Sequence, residues 1–377
     1  MQAGPAHSNH FNLIRLVAAS MVFVGHCFPI ALGEGATLSR LEIHLASLAG
    51  LGVDIFFAVS GFLVTQSLLR ASSLGGFAWR RMVRIYPGLL VAVVFCVAII
   101  GAVFTRLSLP AYATADETVS FAIGKASLLG LFFTGGGSAL PGVFTDAPFP
   151  NAVNASLWTL PWEAMMYTLL AVLGFLCRST VHFRAQLVAA VVAVFLCFFL
   201  FTLCIELDAL SLKQAAAWLS LWSPMSRFGT LFFAGACISL APGGLRLPTL
   251  LSVLLAVYVA YCYVTGDGFY PVYLCARALL VIKLGCSASA RPLLAFNKLG
   301  DYSYGIYIFA FPLQQAVVEL TGTNSPLVLG VITLPFLCLA ALFSWHCIEQ
   351  PCLRAKGVID GTRWAVFPIP KAARREK

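Results

Sequence analysis

Charge is what this chain of 377 residues most lacks: Asp, Glu, Lys and Arg make up 10% of it, against 60% hydrophobic residues. A soluble domain runs about 25% charged and about 45–50% apolar, so too few charges are present to cover a water-facing surface. That excludes a soluble enzyme, a nucleic-acid module and a disordered protein. Acidic residues are scarcest, 15 against 24 Lys and Arg. Cysteine is plentiful, at 12, but no C-x-x-C occurs, and Cys96, Cys197, Cys237 and Cys338 sit alone in apolar runs. The pattern excludes a disulfide or metal framework and leaves small buried hydrophobes. No internal repeat or low-complexity tract stands out. The first apolar run begins at Phe11 without a basic leader and contains Arg15 and His26, so it reads as a retained helix rather than a cleaved signal. What the chain does have is long apolar runs, with a mean hydropathy of +0.90. It reads as a polytopic membrane protein.

A spanning helix needs about 20 predominantly apolar residues. The runs predict an all-α transmembrane bundle with spans at 11–32, 45–69, 85–105, 156–177, 184–205, 216–240, 248–265, 269–286, 297–320 and 326–348. An eleventh candidate, 119–134, is short and carries Lys125. If it does not span, most Lys and Arg fall on one side, including Arg15, the cluster Arg70, Arg80, Arg81 and Arg84, and the basic tail. The positive-inside rule therefore favours ten spans with both termini cytoplasmic. The domain division expected is 1–355 for the membrane unit and 356–377 for the tail, with 106–155 as one large external segment folded partly onto the bundle.

Ionisable groups inside spans cost about 2.5–3.5 kcal/mol on insertion scales, so each is a functional candidate. Arg15 and His26 are eleven residues apart, within about 20° of three full turns, and so share a face. A neutral imidazole there suits a general base; the alternative is an interhelical hydrogen-bonding His. Asp54, in GVDIFFAVSGFLVT, must pair or protonate, and Arg15 or His26 on the adjacent helix is the expected partner. Arg81 and Arg84 lie three apart on one helical face, a pair suited to bidentate phosphate binding or to ordinary topology anchoring.

In NASLWTLPWEAMMY, Asn154, Ser156 and Trp158 precede Pro161, and Glu163 follows. Helical spacing puts Ser156 and Glu163 on one face, and Pro161 frees a carbonyl where polar groups meet apolar ones. A carboxylate near the outer mouth can hold an acceptor hydroxyl or orient an imidazole; Trp158 and Trp162 equally suit an aromatic belt. Asp301 and Glu349 read as helix-end charges. Arg227 and Arg277 fall inside spans.

Together these segments resemble the acyltransferase-3 family of integral membrane acyltransferases, which includes bacterial O-antigen, exopolysaccharide, peptidoglycan and Nod-factor O-acetylases. The resemblance covers about residues 8–355. It is carried by Arg15-x10-His26, GVDIFFAVSGFLVT, Phe77 followed by Arg81-x-x-Arg84-Ile-Tyr-Pro87, Asn154-x-Ser156-x-Trp158-x4-Glu163, Arg227 with Gly235, Gly300-x-x-Ser303-Tyr304, and Ile348-Glu349-x-Pro351. It implies a multi-pass bacterial inner-membrane O-acyltransferase that moves an acyl group, most simply acetyl, from cytoplasmic acetyl-CoA to a glycan or lipid-linked saccharide at the opposite face. By the resemblance His26 is catalytic, with Glu163 or Asp54 orienting it. Arg15, Arg81 and Arg84 bind the donor, while Asn154, Ser156, Trp158 and Arg227 bind the acceptor. No metal, no permanently bound cofactor and no nucleic acid are expected.

Two departures qualify the match. Ala310 stands where many members have His, and no fused SGNH-type esterase domain follows, so acylation is expected to be direct or through a separate periplasmic acyl-accepting protein. The alternatives are succinyl transfer to a periplasmic glucan, and a transporter of acyl donors or small carboxylates without chemistry.

Overall fold

The structure, a computed structural model, describes residues 9–33, 35–128, 137, 139–178, 182–211, 216–242, 247–287 and 300–354. Among them there is no strand. The long helices are α1 (Phe11–Leu32), α2 (Arg40–Leu69) and α3 (Leu74–Val94), the last continuing through a wide π-helical turn to Phe104. Two short helices follow, α4 (Leu109–Thr114) and α5 (Asp116–Ser127). The rest are α6 (Leu160–Cys177), α7 (Phe183–Ser211), α8 (Ala216–Leu240), α9 (Thr249–Thr265), α10 (Tyr270–Cys286), α11 (Ser303–Thr321) and α12 (Pro326–Phe343). Six of these stretches are long and apolar enough to cross a membrane, and α9 is a shorter apolar helix. The chain is a multi-pass membrane protein. The tail 356–377 and residues 297–299 of the expected ninth span lie outside the described residues.

Two helices start earlier than hydropathy alone predicts, because a polar cap begins them and not an apolar residue. At the head of α2 the Ser39 backbone N–H donates to Glu42 Oε2 at 2.8 Å while the Glu42 N–H reaches Ser39 Oγ, a reciprocal cap. With 30 residues α2 is about 45 Å long and outreaches the bilayer core. Ser73 caps α3 from one side only, its Oγ accepting the Gly76 N–H at 3.1 Å, so Arg80, Arg81 and Arg84 ride on a helix and not on a loop.

The described chain on both sides of the candidate span 119–134 is tied to the same end of α3. Before it, the Tyr112 hydroxyl donates to Val97 O on α3; after it, Thr105 Oγ1 donates to Pro141 O and the Arg106 N–H to Gly142 O. Tyr112, Phe121, Leu140, Val143 and Phe144 form a small core against Cys96 and Ile100. The helical part, α5, has 12 residues, about 18 Å, too short to span. Its remaining residues, 129–134, lie outside the described set.

Lipid tails are as apolar as leucine, so helices in a bilayer hold together by close backbone approach. At the crossing of α2 and α8 the approach is reciprocal: a Cβ on Gly61 would lie 1.8 Å from Phe232 O, and one on Gly235 2.3 Å from Ala58 O. Gly52 seats α2 against α1, where a Cβ would meet Ala18 O at 2.4 Å. These contacts fix α2 as a wall against which the remaining helices assemble.

Candidate active site

α11 organises the interior. Pro312 has no N–H to give the carbonyl of Ile308, four residues earlier, and Asn154 Nδ2 donates to that carbonyl instead, at 2.9 Å. Gln315 Nε2 donates to Phe149 O and Ala152 O, both at 2.7 Å, and the Tyr307 hydroxyl to Ser156 O at 2.8 Å. The chain from Phe149 to Thr159 thus runs into the bundle along α11, its carbonyls satisfied by side chains, the condition under which irregular backbone survives at membrane depth. Residues 155–159 form a tight 3-10 turn before α6 begins at Leu160. Helical spacing therefore does not relate Ser156 to Glu163. Asn154 and Ser156 are buried in this framework, and Trp158, 37% exposed, packs on Phe228 of α8.

Below this segment lies an ion-pair cluster between α1, α3, α11 and the end of α12. Asp301 Oδ2 accepts from Arg15 Nη1 and from Arg84 Nη2, the latter at 2.6 Å, while Oδ1 takes the Ser303 hydroxyl at 2.5 Å. The other edge of the Arg84 fork meets Glu349 Oε2 at 3.3 Å. A π-helical turn at Ser344–Glu349 carries Glu349, whose Oε1 accepts from Ser344 Oγ at 2.9 Å. Two guanidiniums and two carboxylates balance here. Arg81 differs. It donates to Ser67 Oγ at 3.3 Å, lies near the rings of Phe77 and Tyr167, and pairs with no carboxylate among the described residues.

These arginines border a cavity of about 120 Å³ lined by Arg15, Arg80, Arg81, Arg84, Glu163 and Tyr167, among others. It adjoins a narrower one of about 40 Å³ between α2, α6 and α11, the two sharing Arg15, Ser60, Glu163 and Tyr304. Glu163 sits at their junction, accepting from the Tyr167 hydroxyl and, at 3.2 Å, from Ser60 Oγ. Along α11, Tyr304 lies under the Arg84 guanidinium, Tyr307 lines the narrow cavity, and Phe311 stands edge-on to His26 with ring centroids 5.3 Å apart. Tyr307 and Phe311 are four residues apart, about 6 Å along the axis. Arg15 and His26 share the face of α1 that looks onto α11. His26 is half-buried, and its Nδ1 is buried without a hydrogen-bond partner among the described residues.

The expected carboxylate partners of His26 are engaged elsewhere. Asp54 is 1% exposed and is ion-paired by Arg227 of α8 at 2.7 Å and Arg277 of α10 at 2.6 Å. Neither Arg15 nor His26 pairs with it, because two guanidiniums on the opposite flank of α2 already occupy its oxygens. Glu163 is bound by Ser60 and Tyr167, on the Arg81 side of Tyr307. Arg227 itself donates a second bond, to Gly50 O at 3.1 Å, and so is committed to α2.

Sequence reasoning thus grouped Arg15, Arg81 and Arg84 as the structure does, but it set Glu163 and Asp54 beside His26 and Arg227 at the acceptor, whereas the structure brings Glu163 to the arginines, leaves His26 a turn beyond, and joins Asp54 to Arg227 in a separate network. It missed Asp301, Glu349 and Arg277 as ion-pair partners and Gln314 and Gln315 as backbone clamps. Gln314 donates to Phe23 O at 2.9 Å. Two glutamines inside an apolar run, just after a proline, were the available signal.

A helical multi-pass membrane protein, with an arginine-lined cavity running toward a half-buried imidazole, is the class these observations define. An acyltransferase domain model matches residues 9–345, and the chain belongs to this acyltransferase-3 family. Over 347 residues it is 26% identical to an O-acetyl transferase of Shigella phage Sf6, a match covering 91% of this chain and 95% of that one. Over 85 residues it is 41% identical to Nodulation protein 10 of Rhizobium leguminosarum bv. viciae, covering 22% of this chain and 23% of that one. No solved structure matches the chain.

Proposed function

We propose that this protein is a bacterial inner-membrane O-acetyltransferase, with both termini cytoplasmic, that moves acetyl from cytoplasmic acetyl-CoA to a sugar hydroxyl of a cell-surface or exported glycan. The observation that carries it is the continuous pair of cavities, which begins among Arg80, Arg81 and Arg84 and ends one helical turn short of His26. The full-length likeness to an O-acetyl transferase supports the acyl group chosen.

In this scheme Arg81 pairs with donor phosphate, for which a planar guanidinium is suited. The thioester acyl group enters the narrow cavity. His26 takes the proton from the acceptor hydroxyl as its oxygen attacks the carbonyl carbon. The C–O bond forms, the C–S bond breaks, and the departing CoA sulfur receives the proton. Asp301 and Glu349 act as positioning residues, holding Arg15 and Arg84 in place.

The test uses membranes given radiolabelled acetyl-CoA. Wild type should leave alkali-labile label on glycan, whereas His26→Ala should leave none while its membrane abundance stays within about two-fold, since a small residue replaces the ring but not its basicity. Equal labelling by the variant would remove His26 from the chemistry. Label carried across sealed vesicles without reaching glycan would instead favour transport.

A further inference from the structure

We propose that the narrow cavity between α2, α6 and α11 is the acyl slot, and that Val53, Phe56, Phe57, Leu160 and Tyr307 restrict it to a two-carbon acyl group. The proposal rests on the acyl-CoA reading above and adds which residues choose the acyl chain.

Size comes first. The slot holds about 40 Å³ of free space. A water-sized group needs ~10–15 Å³ by this measure, so roughly three non-hydrogen atoms fit. That matches the methyl carbon, carbonyl carbon and oxygen of an acetyl group, and leaves no room for the two further methylenes of butyryl.

The walls also resist widening. Phe57 stacks flat on Phe228 of α8, with centroids 4.1 Å apart and planes 2° from parallel. Phe56 stands edge-to-face against Tyr307 at 5.7 Å. The Tyr307 hydroxyl is fixed twice, by Thr159 Oγ1 at 2.5 Å and Ser156 O at 2.8 Å. Because α2 is seated through glycine contacts against α1 and α8, the backbone under Val53, Phe56 and Phe57 cannot easily retreat. Forcing extra methylenes into such packing displaces side chains from their rotamers and shifts backbone.

Charge gives a second filter. A succinyl group would bring a second carboxylate in beside Glu163 and against Val53, Phe56, Phe57 and Leu160, and among the described residues the one cation lining the slot, Arg15, is already paired with Asp301. An unpaired carboxylate buried among apolar side chains is strongly disfavoured. The slot therefore rejects succinyl through charge and length together.

The experiment is a competition. Wild-type membranes and the variants Phe56→Ala and Leu160→Ala receive equal concentrations of acetyl-CoA, butyryl-CoA and succinyl-CoA carrying distinguishable labels, and the acyl esters on membrane glycan are counted. A ratio of products within one sample does not depend on how much of a variant reaches the membrane. Wild type should favour acetyl over butyryl by ~100-fold or more, and at least one truncation should bring the ratio within ~10-fold, the range that methylene-sized space controls in a hydrophobic pocket. Butyryl transfer by wild type at the acetyl rate would overturn the slot, as would an unchanged ratio in both variants, and either result leaves acetyl transfer itself standing. No ester from any donor in wild type would overturn the acyl-CoA reading and the slot with it.

Discussion

Among its described residues the bundle holds two buried arginine–carboxylate networks, built from the same groups and put to different ends. In one, Asp54 alone faces Arg227 and Arg277; in the other, Asp301 and Glu349 face Arg15 and Arg84. The first joins three long helices, α2, α8 and α10, around a carboxylate 1% exposed. The second lies beside the arginine-lined cavity, and Asp301 is 10% exposed. A buried ion pair is by itself weak evidence for stability or for function, because desolvation offsets much of the attraction. What separates the two networks is what they adjoin. Arg227 also lines a cavity, but it does so beside Glu206 and already spent on Asp54 and Gly50 O; the other network adjoins a space lined by several arginines that a phosphate-bearing molecule can enter, with Arg81 left without a carboxylate among the described residues. The function of a membrane-embedded charge is read from its empty neighbours as much as from its partners.

The largest expected effect comes from breaking the Asp54 network. Asp54→Ala strands two guanidiniums inside the bundle, a change worth about 3–5 kcal/mol, and should strip the protein from the membrane fraction. Asp301→Asn, whose surroundings can admit water, should keep most of the protein while acylation falls steeply. Immunoblotting beside radiolabel assay measures both. If Asp54→Ala accumulates normally and is inactive, the two networks have been assigned the wrong way round.

Within the cavity network, Lys substitution separates the two arginines of one motif. Arg84 uses both edges of its fork, on Asp301 and Glu349, which an ammonium cannot span. Arg84→Lys should therefore lower kcat and thermal stability together. Arg81→Lys should leave melting unchanged and raise the KM for acetyl-CoA, by roughly ten-fold for an impaired charge-assisted contact. The opposite split would mean that Arg84 holds the donor and Arg81 the frame.

The smallest effect is expected at Asn154. Its removal leaves the Ile308 carbonyl without a donor, at about 1–3 kcal/mol. A melting shift of purified Asn154→Ala, together with retained acceptor affinity, would mark it as a clamp. An unchanged melting curve with a raised acceptor KM would return it to the binding site.

These assignments also mark how far the sequence carries. Apolar runs locate the helices, because hydropathy is a local property, and the eleven-residue spacing of Arg15 and His26 puts them on one face because α1 is regular. The pairing of charges was not legible. Arg84 and Asp301 are 217 residues apart, and nothing local tells Asp54 which flank of α2 its partners approach. The shared face of Glu163 and Ser156 was misread for a related reason. Its relation to Ser156 assumed continuous α-helix across a stretch that tightens to 3-10. The orphaned carbonyl of Ile308 was in principle foreseeable from Pro312, but the donor that meets it comes from a loop more than a hundred residues earlier.

That loop has a consequence for how such a protein can change. α6 has 18 residues, about 27 Å of rise, short of the ~30 Å hydrocarbon layer, and the 3-10 turn at Ala155–Thr159 makes up the missing depth, entered by the non-helical chain from Phe149 to Asn154. Its attachment to α11 runs through a few side chains, Asn154, Gln315 and Tyr307. The stretch before Phe149, anchored on α3 through Leu140, Val143 and Phe144, can therefore vary without disturbing the register of α11, so that under the proposed function the end of the passage away from the arginines can be remodelled for a new acceptor while the arginine end stays fixed.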